Sequence, residues 1–146
     1  MKENGRPSLY DYLAAAMITI ATVWLWAQAA IHFPQFFEEA PPLLVTAASY
    51  AFYTLGGAAA SYLVLNKSGS RQVTTGLKVG AFCSIASILY YYIYSSDQPS
   101  FIVLMFTSLL VGGYIGAIVR IKLDTRRIEA PLADVNAEPD ENTSGS

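Results

Sequence analysis

Apolar residues run along this chain in four long blocks, interrupted by short polar breaks, with no strand-like alternation. The stretches 9–31, 42–65, 74–94 and 100–122 are almost free of charge, and each is 21 to 24 residues long. At ~1.5 Å of rise per residue, each would reach ~30–36 Å as a helix. That length matches a hydrocarbon core ~30 Å thick with modest tilt. Buried helices of a soluble protein this size would be shorter and would keep a polar face. The pattern predicts an all-α fold, a four-span transmembrane helical bundle. Short connections favour up-down-up-down order, with each helix packed on its neighbours in sequence.

The breaks divide the chain into a short lead over 1–8, a transmembrane domain over 9–122 and a tail over 123–146. In the first break, "IHFPQFFEEAPPLL" (31–44), Pro34, Pro41 and Pro42 forbid a continuous helix. Phe33, Phe36 and Phe37 are spaced to share one face of a helical turn. A short segment lying on the outer surface, with the rings dipping into the headgroup boundary, is therefore expected. The break "NKSGSRQV" has turn chemistry around Gly69, and "SSDQP" turns the third span back. Residues 128–146 hold five acidic residues, two prolines and no basic residue. Such a segment buries too little apolar surface to offset its ordering entropy, so the tail is expected to be largely disordered.

Composition sharpens the membrane reading: 53% of residues are hydrophobic and 14% charged, against about 25% charged in a typical soluble domain. All nine basic residues fall at the N-terminus (Lys2, Arg6), in the middle break (Lys67, Arg71, Lys78) and after the last span (Arg120, Lys122, Arg126, Arg127). The other two breaks carry Glu38, Glu39 and Asp97 and no cation. The positive-inside rule then places both termini in the cytoplasm of a cell membrane. Cys83 is the only cysteine and sits mid-span, so no intramolecular disulfide forms. Lys2 and Arg6, an apolar run and Ala27-Gln28-Ala29 leave an alternative open. The first span would then be a cleaved secretory signal, with three spans remaining.

Lipid tails are as apolar as leucine, so membrane helices associate through close packing of small residues. Span two carries Ala47, Ala51, Thr54, Ala58 and Ser61 on one face. Span three carries Gly76, Gly80, Ser84 and Ser87, and span four Ser108, Gly112 and Gly116. These three seams are expected to close the bundle, or to receive a partner or a second copy. Trp24, Trp26, Tyr50, Phe52, Tyr53, Tyr90, Tyr91, Tyr92, Tyr94 and Phe101 all fall in the outer halves of the spans. They read as an interfacial belt, with an aromatic-walled outer site as the alternative.

Candidate chemistry is sparse. Gln28 is the most polar residue well within a span and is expected to make an interhelical hydrogen bond, with substrate contact as the alternative. His32, Glu38, Glu39 and Asp97 could supply cation ligands only if the two outer breaks met. No Ser/His/Asp or Cys/His set is present, so no catalytic residue, cofactor or metal is expected. Arg120, Lys122, Arg126 and Arg127 read as a lipid-facing basic cluster, each attracted to anionic lipid by ~1 kcal/mol.

In length and span count the chain is similar to small multidrug resistance transporters, a family that depends on a membrane-embedded glutamate in its first span. Span one here contains no glutamate. "GGYIGAIVR" (112–120) resembles the GGxxGAxxR pattern of fluoride channels, where it lies in the first span, whereas here it closes the last. Both resemblances end there.

The expected partners are the lipid bilayer and either another membrane protein or further copies, with no nucleic acid. The leading expectation is a non-enzymatic accessory or structural subunit of a membrane complex. An oligomeric transporter or channel is the second, and an outer-surface sensor the third.

Overall fold

The computed structural model describes residues 6–94 and 99–135, with backbone only at 99–100 and 127–135. It is all-α: α1 (Leu9–His32), α2 (Pro34–Glu39), α3 (Pro42–Ser68), α4 (Val73–Tyr94) and α5 (Pro99–Val135). Four of these are long and apolar enough to cross a membrane: α1, α3, α4 and the Phe101–Arg126 part of α5.

Each boundary has a local cause. Ser8 caps α1 through a reciprocal box, in which its hydroxyl accepts from the Asp11 amide at 3.3 Å and its own amide donates to Asp11 Oδ2 at 2.8 Å. Pro34 and Pro42 open α2 and α3 at positions where a missing N–H costs nothing. Gly69 ends α3 with φ 68°, a left-handed conformation that side chains with a Cβ resist.

The packing order differs from the sequence expectation. α3 packs chiefly on α5, α5 also on α4, and α1 on both α3 and α4. Spans two and three, consecutive in the chain, pack far less extensively on each other than either does on the last span. The turn from Gly69 to Gln72 therefore crosses the bundle, and the last span fills the groove between α3 and α4.

Two buried layers follow along the bundle. Toward the end bearing Lys67, the core is made of Ala15, Ala60, Val64, Val79 and Cys83. Toward the other end it is larger, with Val23, Tyr53, Met105 and Leu109 ringed by Trp26, Tyr91 and Phe101. Large apolar side chains cover the outside, among them Leu13, Met17, Leu55, Leu63, Ile85 and Val103. Patches this extensive are unstable against water, and lipid is the solvent they suit.

Two expectations change. α5 does not stop at Lys122 but continues as helix to Val135, so 123–135 is not the disordered start of the tail. Thr125, Arg126 and Arg127 add no helix breaker, and Thr125 Oγ1 bonds back to Ile121 O at 3.0 Å. The tail from 136, the lead from 1 to 5, and Asp97 lie outside the described residues. The first break does fold into a helical turn, α2, but its phenyl rings do not share one face. Phe33 and Phe36 are exposed, whereas Phe37 turns inward to the Trp26 ring at 5.4 Å.

Candidate functional site

The seams come together around α5, and glycine pairs explain how one helix meets two others. Adjacent residues on a helix point ~100° apart, so a doublet without side chains opens two faces at once. Gly112 of the Gly112–Gly113 pair lies against the α3 backbone at Thr54, Gly57 and Ala58, and Gly113 lies against Gly76 and Gly80 of α4. One turn on, Gly116 meets Ala58 and Ala117 meets Gly76. The Gly56–Gly57 pair of α3 repeats the device, with Gly56 under Thr22 of α1 and Gly57 against Leu109 of α5. Gly56, Gly57 and Gly113 were absent from the expected seams. A spacing of four finds one face of a helix, and doublets are the signal for a second.

Hydroxyl groups fasten the contacts that glycine makes close. Ser61 Oγ donates to Gly113 O at 2.9 Å, joining α3 to α5. Ser84 Oγ lies 2.8 Å from Gly80 O and 3.3 Å from Phe106 O, and Ser87 donates to Thr19 of α1 at 3.2 Å. Ser108 is buried as well, bonded to Leu104 O of its own helix at 2.6 Å. Serines make these interhelical hydrogen bonds, and Gln28 is half-buried near the C-terminal end of α1.

The α3 seam divides. Thr54 and Ala58 are half-buried and Ser61 is fully buried where α5 covers them, yet Ala47 and Ala51, on the same face further out, are exposed.

The aromatic belt divides too. Trp24, Tyr50, Tyr92 and Tyr94 face outward. Tyr53 is 1% exposed, with Trp26, Phe52 and Phe101 around it at ring separations of 6.4, 6.5 and 5.7 Å. Beside it a cavity of about 160 Å³ opens between Val23, Ala27, Tyr53, Tyr91 and Phe101. It is apolar apart from the two phenols, and it would suit a small uncharged or aromatic-binding group.

At the opposite end, ion pairs tie the segments together. Lys67 Nζ at the end of α3 lies 2.6 Å from Asp11 Oδ1 at the start of α1, and the Asp11 side chain is 8% exposed. Asp124 receives Arg71 Nε at 2.7 Å and Arg120 at 3.1 Å. The expected basic cluster therefore separates: Arg120 is turned to Asp124 with its side chain 16% exposed, while Lys122 and Arg126 are exposed. The Arg127 side chain lies outside the described residues.

His32, Glu38 and Glu39 are exposed around α2. Among the described residues no three His, Cys, Asp or Glu side chains converge as a metal ion would require. No protein-family model matches this chain, and no curated protein or solved structure matches it.

Proposed function

We propose that this chain is a non-enzymatic accessory subunit of a membrane assembly, crossing the cell membrane up-down-up-down with both termini in the cytoplasm. The observation that carries this is the split α3 seam. α5 closes Thr54, Ala58 and Ser61, and the same face continues outward as exposed Ala47 and Ala51. Small residues admit a second helix at close range, so a helix of another chain fits there as α5 fits below it.

Residue pairing supports the threading. Thr54 and Ala58 meet Gly112 and Gly116 in the same sequence order, whereas Gly76 and Gly80 meet Ala117 and Gly113 in reverse order. Arg6, Lys67, Arg71, Lys78 and Arg120 gather at one end of the bundle, the end the positive-inside rule assigns to the cytoplasm. The test is native mass spectrometry of the protein released from its own membranes into lipid discs, paired with cross-linking from Ala51→Cys. A defined complex cross-linked through that position is expected. Release as a single chain with no cross-linked species overturns the proposal.

The outer aromatic cavity favours a second reading, an oligomeric transporter or channel for a small solute. Purified protein in liposomes would then carry ions or small solutes faster than empty vesicles do, and Tyr91→Ala would change the rate. Flux no faster than that of empty vesicles removes it.

A further inference from the structure

At the basic end, between the start of α1 and the start of α4, lies a second cavity of about 660 Å³ that the accessory role does not use. Three cations from three separate segments line it: Arg6 ahead of α1, Arg71 in the α3–α4 turn and Lys78 in the second turn of α4. Its lining also includes Tyr12, whose ring meets the Phe82 ring edge-on at 5.5 Å. Ser70 and Thr75, both buried, contribute a hydroxyl pair 3.2 Å apart. Cations surround this space, and Tyr12 and Pro7 give it an apolar side.

Charge balance is what marks it as a binding site. No carboxylate of the described residues lines the cavity. The acidic groups of this end are committed elsewhere, Asp11 to Lys67 and Asp124 to Arg71 and Arg120. Arg71 meets Asp124 through Nε, and a guanidinium carries further N–H donors beyond that one. Among the described residues Arg6 and Lys78 form no ion pair, and both are exposed. Like charges brought together by three segments repel one another until an anion neutralises them. A phosphate group suits this set, because arginine grips its oxygens in pairs and lysine adds a point charge. The start of α4 at Val73 adds partial positive charge on the same side.

We propose that this cavity binds the phosphate of an anionic phospholipid headgroup. Arg6, Arg71 and Lys78 contact the phosphate, Ser70 and Thr75 supply neutral hydrogen bonds, and the Tyr12 ring meets the first carbons of the acyl chains. Free phosphate carries the same charge but has no use for the Tyr12 ring or for most of the volume. The inference rests on the membrane reading above and not on the accessory role.

Resistance of the full chain to alkaline extraction from membranes is measured first, so that failure of the membrane reading is seen separately. The full chain is then reconstituted in phosphatidylcholine discs containing phosphatidylglycerol, and retained lipids are counted by native mass spectrometry. Arg6→Gln/Lys78→Gln is compared with Lys122→Gln/Arg126→Gln, which removes the same charge outside the cavity. Near-UV circular dichroism checks that both fold. At ~1 kcal/mol for each cation, the cavity variant is expected to retain phosphatidylglycerol roughly 10- to 30-fold less well. The outer variant should change retention of a bound lipid about twofold or less, because Lys122 and Arg126 do not line this cavity and attract anionic lipid only diffusely. Equal loss in both variants, or none in either, overturns the site. Displacement of the retained lipid by inorganic phosphate overturns the lipid as its source and assigns the cavity to a soluble phosphate.

Discussion

Replacing Gly113 by alanine adds one methyl group where α5 passes α4 backbone to backbone. A Cβ at this position would lie 2.7 Å from Gly76 O and 2.9 Å from Gly80 Cα, whereas ordinary contact begins at 3.4 Å. Neither obstacle is a side chain, so no rotamer relieves the clash, and α4 and α5 must separate by roughly half an ångström. That movement also pulls on the Ser61 hydroxyl bond to Gly113 O, now 2.9 Å.

Overpacking costs about 1–3 kcal/mol, and a weakened interhelical bond adds about 0.6 kcal/mol. The better helix propensity of alanine offsets at most about 1 kcal/mol. With the full offset the net expectation is a loss of roughly 0.6–2.6 kcal/mol. Cys83 supplies the assay, since it is fully buried on α4 and a thiol reagent reaches it only when the bundle opens. Labelling of Cys83 across a titration of denaturing detergent gives the midpoint for each variant. A Gly113→Ala midpoint equal to or above that of the native chain would refute the reasoning, because propensity would then be the only effect present.

Leu55→Ala, at a side chain 68% exposed on the lipid side, should shift the same midpoint by less than about 0.5 kcal/mol; a shift as large as that of Gly113→Ala would mean the surface is packed against something. Lys67→Gln leaves the Asp11 carboxylate nearly buried with only Ser8 as a close partner. It should destabilise by about 1–2 kcal/mol, with part of the loss recovered in Asp11→Asn/Lys67→Gln; a double-mutant cycle without coupling would show that the pair contributes nothing. Ser87→Ala removes the 3.2 Å bond from α4 to the Thr19 hydroxyl and should cost about 0.6 kcal/mol in thermal unfolding in micelles. Gly69→Ala, at φ 68° with open space around it, should cost about 1 kcal/mol through backbone strain alone, and Gly69→Asn should recover part of that.

The spans were legible because hydrophobic run length is a one-dimensional property, and the predicted starts and ends agree closely with α1, α3 and α4. The faces of α4 and α5 were legible for a related reason. Gly76, Gly80, Ser84, Gly112 and Gly116 repeat at helical spacing and are all buried. What sequence could not supply was the identity of the helix each face meets. A short turn fixes which ends are near, and the glycine faces decide which bodies pack, so α3 took α5 in preference to α4. Tyr53 shows a similar limit. Its interfacial composition is the same as that of Tyr92, and only the arrival of Phe101 and Trp26 encloses one and leaves the other outside. The basic-end cavity was invisible for the same reason, since Arg6, Arg71 and Lys78 belong to segments that meet only in three dimensions.

The placement of α5 bears on how the protein is made. A ribosome delivers α1, α3 and α4 to the membrane before α5 exists, yet α5 is the helix that both α3 and α4 pack against most extensively. Until it emerges, Gly57, Gly76 and Gly80 face an empty slot that lipid chains fill poorly. The nascent three-helix intermediate is therefore loose by construction, held by α1 on α3 and α4 and by the small α3–α4 contact. Firm closure waits for the final span, so a chain interrupted before Gly112 would lack the contacts that join α3 and α4 through α5.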